Sequence, residues 1–205
     1  MPKISKTSKM RVNNKPVKSF SLPAGTSCPG AKDAEVCGSC YAKSGFYHMP
    51  VVKNVREHNR IAYHKDSFVD DMVKIIGTDK WFRYFDSGDI ETPELGEKIY
   101  QIAKRCPTTS IWIPSRSDKV KSIAPSIKKL QSLPNVSMRL SADNIGLSKP
   151  ERPGVNSYVI NVSDIPEAHK RGILVCPATT PGTTQKSCDT CTACYSDVPV
   201  AYVLH

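Results

Sequence analysis

The sequence has no long apolar run. No segment carries the apolar core of a signal peptide, and none approaches the ~20 residues that a membrane span needs. A soluble, cytoplasmic protein with no membrane partner is therefore expected. Acids are missing from the opening of the chain: none occurs before Asp33, whereas six basic residues lie between Lys3 and Lys18. Aromatics are also scarce, 7% overall and none before Phe20. That basic stretch, residues 1–19, reads as a weakly structured, solvated arm. The sharper reading is a nucleic-acid contact, in which lysines release counterions from phosphate, although no rings are interleaved to stack on bases. Low-complexity tracts and domain linkers are absent as well. A chain of 205 residues, 39% of them hydrophobic, suits a single domain able to bury a core and excludes a disordered or fibrous protein.

Cysteine, by contrast, is plentiful. There are eight, and in a reducing compartment metal is a better explanation than disulfides; a secreted chain would make four disulfides the account. Cys188, Cys191 and Cys194 are spaced C-x2-C-x2-C, with Cys176-Pro177 upstream. This spacing opens the run that bacterial ferredoxins use around an iron–sulfur cubane, because two-residue spacers let neighbouring thiolates reach different irons. Zinc would want paired C-x2-C knuckles; Cys37 and Cys40 could face Cys188 and Cys191, but Cys194 would then be unused. A 4Fe–4S cluster held by Cys176, Cys188, Cys191 and Cys194 is the expectation, with zinc the alternative. Cys28-Pro29, Cys37 and Cys40 form a second, shorter version of the pattern. They either hold a second metal, with Cys106 or a non-cysteine fourth ligand, or contribute to one shared cluster. Cys106 by itself reads as a small buried hydrophobe. The histidines lack paired ligand spacing, leaving His48 and His205 as reserve ligands. Tyr41 and Tyr195, each following the last cysteine of an arm, could shield a cluster from water.

Between the cysteine arms the pattern alternates. Helices are expected from Val51 to Tyr63 and after Asp66 to Gly77. Strands are expected at Trp81–Phe85, Ser110–Ile113, Val136–Leu140, Tyr158–Val162 and Ile173–Val175. A helix from Thr92-Pro93 to Cys106, a mostly helical Asp118–Leu133 interrupted at Pro125, and at most a short helix at Ile165–Lys170 lie among them. The fold class is α/β: a parallel sheet or partial (β/α) barrel, with cysteine-rich arms over the strand-end rim. The segments are a basic arm (1–19), a first cysteine arm (20–45), an α/β core (46–175) and a second cysteine arm (176–205). Parallel sheets carry chemistry at the carboxyl ends of their strands. Those ends offer Asp86 and Asp89, Arg116, Asp143 and Cys176, so a metal on Cys176 is expected beside the four polar residues, which are candidates for holding a small polar ligand. Asp118 and Asp164 read as turn and cap residues.

Three blocks carry a resemblance: Ser21 to Tyr47 (SLPAGTSCPGA with CGSCYAKSGFY), Arg83 to Ile90 (RYFDSGDI), and Leu174 to Tyr195 (LVCPAT with CDTCTACY). There the sequence resembles the bacteriophage gene-product-88-like proteins. The resemblance implies a phage-encoded, cysteine-rich, iron–sulfur protein of the host cytoplasm. A second, partial likeness is to the partial α/β barrel of radical S-adenosylmethionine enzymes, but their C-x3-C-x2-C motif is nowhere in this chain. A cluster saturated by Cys176 and the triplet would leave no open iron. Electron transfer or an auxiliary redox role, with a redox partner protein, is thus the expected function. The alternatives are a radical or redox enzyme working at the polar rim, and a nucleic-acid-binding module with structural zinc.

Overall fold

The computed structural model describes residues 1–12, 15–184, 188 and 191–204. Its centre is one eight-stranded sheet, mostly parallel and curled into a half-barrel. The strands are β1 (Ser5–Val12), β2 (Lys15–Phe20), β3 (Trp81–Tyr84), β4 (Ser110–Ser115), β5 (Val136–Ile145), β6 (Val155–Ile160), β7 (Leu174–Val175) and β8 (Val200–Val203). They lie in the order β1-β2-β3-β4-β5-β6-β8-β7. Only β1–β2 is antiparallel; every other described pairing is parallel.

The helices are α1 (Pro50–Ala62), α2 (Phe68–Ile76), α3 (Pro93–Arg105), α4 (Ala124–Gln131) and α5 (Ile165–Lys170). Helix α3 begins as its sequence dictates: Thr92 Oγ1 accepts from Leu95 N at 3.1 Å, and Pro93 occupies the first turn, where its missing N–H costs nothing. Helix α2 ends at Gly77, whose φ of 56° suits a residue without Cβ. The stretch from Asp118 to Leu133 is split into a 3-10 turn at Ser117–Lys119 and α4, which restarts with Pro125 in its first turn.

Strand alternation gives the sheet two unlike faces. Phe82 and Tyr84 of β3, Ile111 and Ile113 of β4, and Met138 and Leu140 of β5 join Phe68, Met72, Leu95, Ile99, Ile102 and Leu130 of the helices in the main core. A smaller core gathers Ile160, Ala168, Ile173, Val175, Ala201 and Val203 around α5. The alternate strand positions, Val17, Trp81, Arg83, Trp112, Arg139 and Tyr202, belong to the inner face. There Val12, Val17 and Trp112 form a third apolar cluster.

Two expectations need correcting. Residues 1–19 are not a weakly structured arm: they supply β1 and most of β2, with Val12 and Val17 buried while Arg11 and Lys15 stay exposed. A basic edge hairpin is one way natural sheets discourage further strand pairing, so charge there marks an edge. Buried Asn59 of α1 fastens it, bonding both N–H and C=O of Lys3 and the carbonyl of Ser21. Second, Val200–Val203 is a strand, β8, inserted between β6 and β7. Four residues in a cysteine-rich tail carry too little periodicity to announce a strand. Boundaries also move: β5 continues to Ile145, so Asp143 lies within a strand, and β6 begins at Val155. No described helix is long and apolar enough to cross a membrane.

Candidate metal centre

The first cysteine arm leaves the carboxyl end of β2 as a succession of short 3-10 turns, at Pro29–Ala31, Glu35–Cys37, Tyr41–Lys43 and Gly45–His48. It is clamped to the strand-end rim. Asp89 N donates to Ser27 O at 2.9 Å, and Lys119 Nζ reaches Lys32 O at 3.2 Å. A Cβ on Gly30 would stand 2.1 Å from the carbonyl oxygen of Arg116, so only glycine lets the arm pack this closely. The arm folds back on itself where Lys43 Nζ donates to Cys37 O at 3.0 Å. Cys28 has Cys37 and Cys40 as electrostatic neighbours, together with Asp89, and burial pushes its thiol up to about 11. Burial likewise raises the Cys37 thiol, opposed by nearby Arg116.

The rim itself is polar and almost fully committed to the fold. At the end of β3 the chain turns through Phe85 at φ 58°, a strained conformation for a bulky residue. This launches the Asp86–Asp89 loop. Asp86 pairs with Arg56 at 3.2 Å and Arg83 at 3.4 Å and accepts from Tyr47 OH at 3.0 Å. Asp89 accepts from Ser115 Oγ at 2.6 Å, Ile90 N at 2.7 Å and Arg116 N at 2.8 Å. Burial nonetheless raises the Asp89 carboxyl, those hydrogen bonds pulling the other way. Asp143 bridges Lys119 at 3.1 Å and Arg152 at 3.0 Å, while Arg116 Nε donates to Ala142 O at 2.9 Å. Of the four candidates, Asp89, Arg116 and Asp143 gather beside the first arm, and Asp86 sits against Arg56, Arg83 and Tyr47. The thiols found next to them are Cys28 and Cys37, rather than Cys176. Asp164 is the cap expected of it, accepting from Asn161 N at 2.9 Å. Asp118 is more than a cap, since it takes a two-pronged bond from Arg152 at 2.7 and 2.9 Å.

The second arm covers the inner face. Cys176 follows β7, and its N–H bonds Ala201 O at 2.8 Å. Cys188 has Cys194, Cys176 and Cys191 as electrostatic neighbours and is pushed up to about 11, mainly by burial. Cys188 and Cys194 pack, with Tyr195 and Tyr202, on the cluster of Val12, Val17 and Trp112. Cys194 Sγ lies 3.1 Å from Tyr202 OH. Tyr195 is wedged between Trp81 and Trp112, ring centroids 4.7 and 6.1 Å away. Cys176, Cys191 and Cys194 form no disulfide. Among the described residues, no three His, Cys, Asp or Glu side chains stand as close as a bound metal would draw them.

Two inner-face arginines escaped the sequence reading. Arg139 is fully buried, and its guanidinium donates to Ser196 O at 2.7 Å, Asn156 O at 2.5 Å and Val198 O at 2.8 Å. No carboxylate among the described residues pairs with it. Arg83 lies over the Trp112 ring at 4.4 Å. Burial alone would depress it, but Asp86 and the surrounding tyrosines outweigh that and keep it cationic. Both guanidiniums act on the Cys194 thiol in the direction that favours thiolate. Beside them Trp112 Nε1, Arg139 Nε and Tyr195 OH are buried with no hydrogen-bond partner among the described residues. The signal was present: an arginine inside the apolar runs WFRY and VSMRL occupies an inward strand position.

Cys106 packs in the main core against the helices, remote in role from either arm. His48 is bonded to Lys43 O at 2.5 Å, and His205 lies outside the described residues. Lys18, the last cation of the basic opening, pairs with Asp79 at 2.8 Å.

No curated protein and no solved structure is detectably similar to the chain. A family model described as gene product 88 matches residues 2–197, so nearly the whole sequence, half-barrel and cysteine arms together, belongs to the gene product 88 family of phage proteins.

Proposed function

We propose that the protein is an iron–sulfur protein of the host cytoplasm, with a 4Fe–4S cluster on Cys176, Cys188, Cys191 and Cys194, acting in electron transfer or as an auxiliary redox component. The observation that carries this reading is the composition of the inner face. Thiols of the second arm lie over Arg83, which pairs with Asp86, and over fully buried Arg139, which no carboxylate among the described residues pairs. Three buried donors (Trp112 Nε1, Arg139 Nε and Tyr195 OH) have no acceptor among the described residues. Buried donors without partners are costly, and so is an unpaired buried cation. An anionic, acceptor-rich group answers both. A cubane with its thiolates and inorganic sulfides fits better than a zinc ion, which brings no acceptor beyond the thiolates themselves.

When bound, such a cluster supplies one-electron transfer at a potential set by charge, hydrogen bonding and exposure. The chain's own residues would do the rest. Arg83 and Arg139 offset the cluster's negative charge, Trp112 and Tyr195 donate toward sulfur, and Trp81, Val12 and Val17 keep water away. Arg139 also holds the arm itself, through Ser196 and Val198, so ligand position and countercharge are fixed by one side chain.

The test is anaerobic purification followed by iron, sulfide and zinc analysis with a visible absorption spectrum. Brown protein with iron and sulfide in equal amounts is expected. Colourless protein with stoichiometric zinc and no sulfide would sink the proposal.

A further inference from the structure

We infer that the first cysteine arm builds a second metal centre, separate from the one proposed on the inner face, in which Cys28, Cys37 and Cys40 bind a thiophilic metal at the strand-end rim. The inference goes beyond the cluster on the second arm and does not depend on it.

The two arms occupy different places. Cys28 is set by the Asp89–Ser27 bond at the end of β3, and the Cys37 turn is tied to Lys43, three residues past Cys40. The three thiols thus sit on one short segment where the parallel strands stop, beside Asp89, Arg116 and Asp143, and a bound metal would draw them together. The second arm's thiols rest on Trp112, Arg83 and Tyr202. Tyr41, next to Cys40, is tied to the rim: its OH donates to Asp86 O at 2.7 Å and its ring meets Tyr47 at 5.4 Å, while Arg83 pairs with Asp86 at 3.4 Å. The cysteines that act most strongly on Cys28 and Cys37 are of the first arm, and those that act most strongly on Cys176 and Cys188 are of the second.

Three observations point to a ligand here. Three cysteines share a segment built almost wholly of 3-10 turns, whose apolar burial is limited to Ala34, Val36 and Ala42; metal ligation orders such loops. Ser27 Oγ and Ser117 Oγ, one adjoining Cys28 and the other adjoining Arg116, are buried without a hydrogen-bond partner among the described residues, as is Asp143 Oδ1. And Gly30 brings the backbone against Arg116 more closely than any side chain would allow, so the arm is held at a fixed place over the rim. Cys106 cannot complete the set, because it lies in the helix-side core. The centre therefore has three thiolates and a fourth position for a non-cysteine ligand. Thiolates select iron–sulfur clusters or zinc, and the two are told apart by sulfide.

The experiment compares the full-length protein, purified anaerobically, with two double variants: Cys37→Ser with Cys40→Ser, and Cys188→Ser with Cys191→Ser. Iron, zinc and sulfide per chain are measured, with far-ultraviolet circular dichroism as the check on folding. The first-arm pair is expected to lose the metal of one centre, either zinc or iron together with its sulfide, and to retain the iron and sulfide of the other. Unchanged metal in a folded first-arm variant overturns the inference. Loss of all metal from either folded variant also overturns it, since one shared centre would then be indicated. Metal lost from the first-arm pair but unaffected by the second-arm pair would sink the inner-face cluster alone. Should the variants not fold, alkylation of the wild-type chain decides: Cys28, Cys37 and Cys40 should be protected as isolated and labelled only after chelation. Labelling before chelation overturns the inference.

Discussion

The two cysteine arms use the same residue type in different electrostatic settings. Around the first arm Asp89 and Asp143 face Arg116, Lys119 and Arg152, so carboxylates and cations are interleaved. Around the second, Arg83 pairs with Asp86, and the partners of Arg139 among the described residues are carbonyls. The first arm is anchored by backbone proximity at Gly30, the second by a side chain that reaches across three segments. Burial raises the Cys28 and Cys188 thiols alike, to about 11, so the arms differ in their cations: Arg116 favours the Cys37 thiolate, whereas Arg83 and Arg139 both favour that of Cys194. On the function proposed above, the inner face would hold the group of larger negative charge.

This contrast can be broken experimentally, and the largest effect is expected from the second arm's ligands. Cys191→Ser should lose the inner-face metal entirely and lower the melting temperature, because ligation energy is folding energy. Cys106→Ser, on the helix side, should retain full metal content; metal analysis of both variants checks the pair. Next comes the countercharge. Arg139→Gln should cost about 3 kcal/mol, since it strips three buried carbonyls of a charged donor. It should also lower the midpoint potential of a bound cluster, the more negative reduced state losing its counterion. Urea unfolding and a redox titration measure these, and no change in potential would separate Arg139 from the centre. Gly30→Ala should cost about 2 kcal/mol by forcing the first arm off Arg116, without altering the second arm's metal.

The last effect is a pH dependence shared by both arms, seen only in alkaline solution. In chelator-stripped protein the Cys28 and Cys188 thiols ionise at about 11, against 9.0 ordinarily. The unfolded chain gives up these protons first, so folded stability is complete below pH 9 and declines as pH rises from 9 toward 11. Urea midpoints across that range should show the decline, and Cys28→Ser should reduce it. A flat profile would mean that burial does not govern these thiols.

Much of this architecture was legible because its signals are local. Thr92-Pro93 announces a helix start, Gly77 a stop, and the alternation of aromatic or branched runs with helical periods announces a parallel α/β sheet. The cysteine spacings named both arms. The basic hairpin and β8 were not legible. Lysines between apolar residues read as a tail until β3 supplies a partner, and β8 exists only because β6 and β7 leave a slot between them. The rim carboxylates were visible as residues but not as partners: that Asp86 belongs to Arg56 and Arg83 depends on α1 crossing the strand ends.

The sequence by itself determined the helices and central strands, the parallel α/β class, the two sets of thiols and membership of the gene product 88 family. Each rests on spacing along the chain, which tertiary contact does not alter. Tertiary structure alone decided that the acids of the rim attend the first arm, that the second arm covers the inner face, and that Arg83 and Arg139 lie beneath it. The reason is geometric: the curl of the sheet turns alternate strand residues toward one interior, and residues far apart in the chain become neighbours only once that surface closes.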